Sequence, residues 1–299
     1  MLFLILPPKP LNNHQNVRIL TSFFRFDLYL VMHFETEIFE IITKKIYIMK
    51  STDWKVIKAA KDAGIPDPGF EIDENTAIVI TDPQNDFLRS DGVAWPVVKE
   101  SVMENNTISN LGRVLKLAKE KGIKVFISPH YFFPTDKGWK FGGALEKFMD
   151  VKEMYKRKGR LDMEGFEGSG ADFLDEFKEY FAQDNIILCN PHKIFGPQTT
   201  DLNLQLRKYK IQKVLMAGMS TNLCLESHTR HLLEEGYEVA VIADASGSAK
   251  LPGFDTFQGA LMNLRLLTSH VFTTEEFEDV LKSVDLKRSI PKNESHGVK

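Results

Sequence analysis

Val214-Leu-Met-Ala-Gly-Met-Ser-Thr-Asn-Leu-Cys224 is the stretch from which the fold of this chain can be read. An apolar run of strand character meets Gly218 and small polar residues, and an amphipathic helical pattern follows from Asn222 to Glu235, closed by Gly236. A buried strand that turns straight into a helix is the half-unit of an α/β sheet. Cys224 falls where that helix begins. A thiol at a helix N-terminus faces the positive end of the macrodipole and is expected to ionise more easily, so Cys224 is the first candidate for a nucleophile.

The same rhythm runs outward in both directions. Ala77–Ile80, Val125–Ile127, Ile186–Leu188, Val214–Met216, Val239–Ile242 and Val271–Phe272 read as strands. Helical patterns run over Val102–Lys121, Ala171–Phe181, Thr200–Tyr209, Asn222–Glu235 and Thr256–Leu267. Strands that are apolar throughout, rather than on alternate residues, are buried on both faces. The pattern predicts an α/β fold: a three-layer α/β/α sandwich around a mainly parallel, doubly wound central sheet. In such sheets functional groups gather beyond the carboxyl ends of the strands. Asp82, His130, Lys193, Ser220 with Cys224, and Asp244 all follow strands and are expected on one rim.

Composition narrows the function. The chain has 299 residues, 43% hydrophobic and 26% charged, with a net charge of −3. No basic excess or stripe suggests nucleic acid, so a small molecule or a protein is the expected partner. The two cysteines, Cys189 and Cys224, both follow apolar runs, which argues against a disulfide framework and for a reducing, cytoplasmic setting. No stretch reaches the roughly 18 to 20 uninterrupted apolar residues of a membrane span. Residues 1–48 have an aperiodic texture rich in Phe, Ile and Leu, read as an N-terminal extension outside the native protein, with Met49 as the start. A membrane-surface anchor is the competing reading of that segment. The globular domain is placed at 49–290, with an insertion at 131–170 serving as a lid or an oligomer contact, and 291–299 as a polar tail.

Each candidate has an ordinary alternative. Asp82 is also a plausible turn or cap residue, Lys193 a solvated charge, and Cys224 a small buried apolar residue. His228, one turn after Cys224, offers a Cys–His couple as an internal rival. Phe87, Phe132, Trp139 and Phe195 are candidates for an apolar pocket wall, with plain core as the alternative.

Three separated motifs turn these possibilities into a resemblance. Thr76-Ala-Ile-Val-Ile-Thr-Asp82-Pro-Gln-Asn-Asp-Phe87, Lys193-Ile-Phe195 with Thr199–Leu202, and Gly218-Met-Ser-Thr-Asn-Leu-Cys224-Leu-Glu-Ser-His-Thr-Arg230 followed by Gly236–Asp244 are similar to the isochorismatase-like cysteine hydrolases. Gly168-Ser-Gly-Ala-Asp172 adds to the likeness, which runs from about Thr76 to Phe272. The resemblance implies a triad of Asp82, Lys193 and Cys224 and a cis peptide between Met219 and Ser220. It also implies a homo-oligomer.

Chemically, Asp82 would take the thiol proton and Lys193 would favour the thiolate. Backbone N–H groups of Ser220 and Cys224 would receive the oxyanion. The implied activity is hydrolysis of a C–N bond in a small amide, carbamoyl or ureido substrate through a Cys224 thioester, without a cofactor. Phe87, His130, Trp139 and Phe195 are the expected substrate-pocket residues. Nicotinamidases of the family carry an Asp-x-His pair near the second strand, where this chain reads Ser128-Pro-His130-Tyr131; one imidazole alone is a poor zinc site, and no metal is expected. Vinyl-ether hydrolysis of the isochorismatase type is the alternative reaction, disfavoured by the cysteine, and a non-catalytic scaffold is the alternative role.

Overall fold

The computed structural model describes residues 54–136, 142–156, 163–284 and 286. The proposed extension at 1–48, the tail at 291–299 and Trp139 lie outside the described residues. Among the described residues no helix is long and apolar enough to cross a membrane.

Six strands form one sheet: β1 (Thr76–Thr81), β2 (Lys124–Ser128), β3 (Ile186–Leu188), β4 (Lys213–Met219), β5 (Glu238–Gly247) and, last in the sheet, His270–Phe272. A small hairpin of β6 (Lys250–Leu251) and β7 (Phe254–Asp255) precedes that strand, which is therefore β8. The sheet order is β3-β2-β1-β4-β5-β8, and all five pairings are parallel. Chain order reverses between β1 and β4, which makes their carboxyl ends the topological switch point where such sheets bind ligands. Every residue of β1 is buried, as its unbroken apolar character predicts.

Helices cover the sheet in two groups. The first contains α1 (Lys55–Asp62), while α2 (Asn85–Leu88) is a single turn after β1. The others are α3 (Trp95–Glu104), α4 (Thr107–Lys121), α5 (Ala144–Val151), α6 (Asp175–Phe181), α7 (Leu202–Lys208), α8 (Glu226–Glu234), α9 (Thr256–Leu267) and α10 (Thr274–Ser283). Helices α3, α4 and α10 pack against β5 as one layer, and α1, α8 and α9 form the other. Helix α4 buries Leu111, Val114, Leu115 and Ala118, one face at helical spacing. Helix α9 begins at Asp255, whose carboxylate accepts from the Phe257 and Gln258 N–H groups, and α10 begins with a Thr273–Glu276 capping box.

The three-layer α/β/α sandwich predicted from sequence is the observed fold. One helix differs: the pattern over Val102–Lys121 splits into α3 and α4. Asn106 is left-handed there (φ 52°), and Asn105 and Thr107 both donate to the Ser246 carbonyl, so tertiary hydrogen bonds outcompete helix continuity. Within the 131–170 insertion, α5 ends at Val151, and left-handed Glu153 and Tyr155 turn the chain inward.

Candidate active site

The turn after β1 builds half of the site. Asp82 is left-handed (φ 47°), a conformation Asp tolerates better than most residues, and it is completely buried. Gln84 clamps the neighbouring strand end: its Nε2 donates to the His130 and Ala171 carbonyls while its Oε1 accepts from the His130 N–H. Asp86 accepts from the Tyr155 N–H at 2.7 Å and from the Val93 N–H, and burial raises its pKa. Asn85 donates to the Ser169 carbonyl. Gly170 is required beneath this turn, because a Cβ there would lie 2.1 Å from the Asp86 carboxylate. The Gly168–Asp172 loop is thus the seat of the Asp82–Phe87 turn.

Strand β4 supplies the other half. Gly218 has φ +101°, and a Cβ would come within 2.1 Å of the Thr81 carbonyl, so only glycine lets β4 run this close to the end of β1. The Met219–Ser220 peptide is cis. A π-helical turn over Thr221–Leu225 then carries Cys224 into α8. Its thiol is 3% exposed and lines the pocket described below. Burial, and then the charge of Asp82, push that thiol well above the usual cysteine range, whereas the Ser220 and Cys224 N–H groups pull it back. The helix-terminus argument from sequence predicted easier ionisation; desolvation and the adjacent carboxylate outweigh it.

Asp82 and Cys224 therefore meet, whereas Lys193, which the resemblance implied as the third member, makes its contacts elsewhere. Lys193 donates to the Tyr131 carbonyl, pairs with Asp136 and lies over the Phe133 ring. Its neighbour His192 faces the site instead, with Nε2 2.7 Å from Asp82 Oδ1, both side chains fully buried. Asp82 Oδ2 and His192 Nδ1 are buried without a hydrogen-bond partner. An isolated parallel bridge between His130 and His192 sets these segments side by side.

His130 donates from Nε2 to the Lys193 carbonyl, since a carbonyl only accepts, which leaves Nδ1 as the unprotonated nitrogen of the neutral ring. Burial and the proximity of His192 hold its pKa well below the usual value. The rival His228 has Nδ1 on the Cys224 and Phe195 carbonyls and Nε2 on Ser128 Oγ. Its pKa falls to about 3, mainly through burial. It grips the backbone of Cys224 rather than the thiol.

Beyond Cys224 and Ser220 opens a pocket with about 550 Å³ of empty space. Phe87, His130 and Phe195, named from sequence, line it, as do Val97, Leu145 and Leu223. Five lining residues come from the insertion: Leu145, Phe148, Met149, Met154 and Tyr155. Tyr155 stacks on His130 with centroids 4.6 Å apart, and its hydroxyl is buried without a partner. Sequence reasoning missed Tyr155 and His192. A histidine beside the lysine and the proline after β3 was the available signal for the second; nothing local marks the first.

Fold and cluster together set a buried thiol, a carboxylate and two imidazoles at the switch point of a parallel sheet. Residues 76–276 match the Isochorismatase domain, and the chain belongs to that family. Among curated relatives, it is 26% identical over 235 residues to the ureidoacrylate amidohydrolase RutB of Methylorubrum extorquens (strain DM4), covering 75% of this chain and 89% of the relative. It is 29% identical over 220 residues to RutB of Serratia proteamaculans, covering 70% and 83%. Its fold matches a cysteine hydrolase from Pseudomonas syringae pv. phaseolicola 1448A with a TM-score of 0.59 at 19% identity, covering 73% of this chain and 98% of that one. An isochorismatase family protein from Desulfovibrio vulgaris matches with a TM-score of 0.53 at 18% identity, covering 70% and 100%.

Proposed function

We propose that this protein is an amidohydrolase acting on a C–N bond of a small amide or ureido compound, with Cys224 as nucleophile, Asp82 as general base and acid, and His192 holding Asp82. The observation that carries this reading is the pairing of a pocket-lining thiol with a buried carboxylate whose Oδ2 has no other partner. Two relatives named as ureidoacrylate amidohydrolases support the reaction class.

The protonation states set the order of events. With its pKa raised, the thiol is neutral at rest, so proton transfer to Asp82 Oδ2 accompanies attack of sulfur on the carbonyl carbon. The Ser220 and Cys224 N–H groups lie against the sulfur and are placed to receive the developing oxyanion, one such donor contributing about 3 kcal/mol. As the C–N bond breaks, protonated Asp82 gives its proton to the departing amine, leaving a Cys224 thioester. Water, deprotonated by Asp82, then releases the acid and restores the thiol. His192 Nε2 fixes Oδ1 throughout and leaves Oδ2 to carry the proton. In this proposal His192 takes the place that the resemblance gave to Lys193.

The pocket lining refines the substrate. Among its described residues it holds aliphatic and aromatic side chains, His130, the Tyr155 hydroxyl and no Lys or Arg. Among the described residues a substrate carboxylate would meet no cationic partner there, and its desolvation would cost several kcal/mol. A neutral amide with an apolar acyl group fits better, with the Tyr155 hydroxyl donating to it. The test is ammonia release from a panel of aliphatic primary amides and ureido acids, with Cys224→Ala as control. Turnover of at least one amide, lost in Cys224→Ala, is expected. No turnover anywhere, with a thiol inert to iodoacetamide, contradicts the proposal.

A further inference from the structure

The catalytic groups form more than a dyad. One ligand atom from each of Asp82, His130, His192 and Cys224 lies within 4.8 Å of the other three, and all four residues are buried. Two observations point these atoms toward a cation. Asp82 Oδ2 has no hydrogen-bond partner, and the Nε2–H of His130 is committed to the Lys193 carbonyl, which turns its other nitrogen into a bare lone pair. A histidine that donates one N–H to a backbone carbonyl and offers the opposite nitrogen is the usual outer-shell arrangement of a metal-ligating imidazole.

We infer that this cluster binds a single Zn²⁺ through Asp82, His130, His192 and Cys224, and that the ion switches the enzyme off by occupying its nucleophile. The ligand chemistry suits zinc: thiolate, two imidazoles and a carboxylate are its common donors. Tetrahedral zinc with bonds of about 2.0–2.3 Å sets its ligands roughly 3.3–3.8 Å apart, so the cluster closes by about 1 Å on binding. Charge also balances. A carboxylate, a thiolate and two neutral imidazoles carry −2 against the ion's +2, so a neutral unit is buried rather than a net charge. On binding, the sulfur–proton bond breaks and its proton leaves to solvent, the sulfur lone pair forms the bond to zinc, and the His192 proton moves from Nε2 to Nδ1, so that Nε2, the nitrogen facing Asp82, is offered to the ion. The same sulfur cannot then attack a carbonyl.

Binding stands on the geometry alone, whereas the switching effect rests on the hydrolase reading. The test titrates the full-length protein, freed of metal by chelator, with Co²⁺ as a spectroscopic probe and with Zn²⁺ by calorimetry. One Co²⁺ per chain is expected, with tetrahedral visible bands and a thiolate-to-cobalt charge-transfer band that disappears in Cys224→Ser. Zn²⁺ affinity is expected to fall at least about tenfold in Cys224→Ser and in His130→Ala, each checked for fold by circular dichroism. Zn²⁺ is expected to protect Cys224 from iodoacetamide and to stop amide turnover, both reversed by chelator. Absence of the charge-transfer band, or Zn²⁺ affinity unchanged in both variants, overturns the metal site. Metal binding by a protein that hydrolyses no amide leaves the site standing and removes the switch with the hydrolase reading; amide turnover with no metal binding removes this inference alone.

Discussion

Asp82 and Asp244 both belong to the carboxyl-end region of the sheet, both are buried, and only one has the makings of a catalyst. Asp244 Oδ1 accepts from the Thr274 N–H at 2.7 Å and from Thr274 Oγ1 at 2.8 Å, tying β5 to the start of α10. Asp82 spends one oxygen on His192 and keeps the other unpartnered, near the thiol. A buried carboxylate whose hydrogen bonds tie two elements together is part of the frame. One left with a bare lone pair beside a nucleophile is positioned to accept a proton. Rim location alone does not tell them apart; the thiol beside Asp82 does.

The contrast can be broken by substitution. Cys224→Ala is expected to lower kcat/KM for an amide by about 10³-fold or more, the scale of losing a covalent nucleophile. Asp82→Asn removes the proton acceptor while keeping shape, and a loss of about 10² to 10⁴-fold is expected by steady-state ammonia release. A fall of less than tenfold would put Asp82 in the same class as Asp244.

The third test separates neighbours. His192→Ala frees the Asp82 carboxylate, and a loss of about 10 to 100-fold, chiefly in kcat, is expected. Lys193→Ala breaks a partly exposed ion pair with Asp136, worth at most about 1 kcal/mol, so activity should stay within about fivefold. The reverse ranking would restore Lys193 to the triad.

The smallest effect on activity belongs to Asp244, whose carboxyl is raised to about 6, chiefly by burial. Because that folded value lies above the usual carboxyl value of 3.8, the folded state binds more protons in the window between them. Its contribution is therefore present below about pH 4 and is lost as pH rises through about 6. Asp244→Asn keeps an acceptor for Thr274 and removes this titration. Urea unfolding should show the wild type losing roughly 3 kcal/mol relative to the variant between those limits, with turnover little changed. A flat difference across that range would contradict the assignment of Asp244 as a buried frame residue.

The strands and the two groups proposed to react were legible because their signals are local. Ala77–Ile80 is apolar without interruption and Asp82 follows it directly, while Cys224 stands at the strand-to-helix junction after β4. His192 was not separable from Lys193 in sequence, since consecutive residues leaving a strand point in different directions. The choice is made by the His130–His192 bridge, which exists only once β2 and β3 are paired. Tyr155 was further out of reach. It enters the pocket because Asp86, 69 positions earlier, accepts its N–H, and because the helical pattern breaks after Val151.

The proposal stands most directly on the bond between substrate and sulfur. Rapid quenching of the enzyme with a slowly hydrolysed amide, followed by peptide mass spectrometry, should find the acyl mass on Cys224, absent from Cys189 and from the Cys224→Ala protein. Amide turnover that persists in Cys224→Ala, or steady turnover with no acyl mass on Cys224 under single-turnover quenching, would contradict the account.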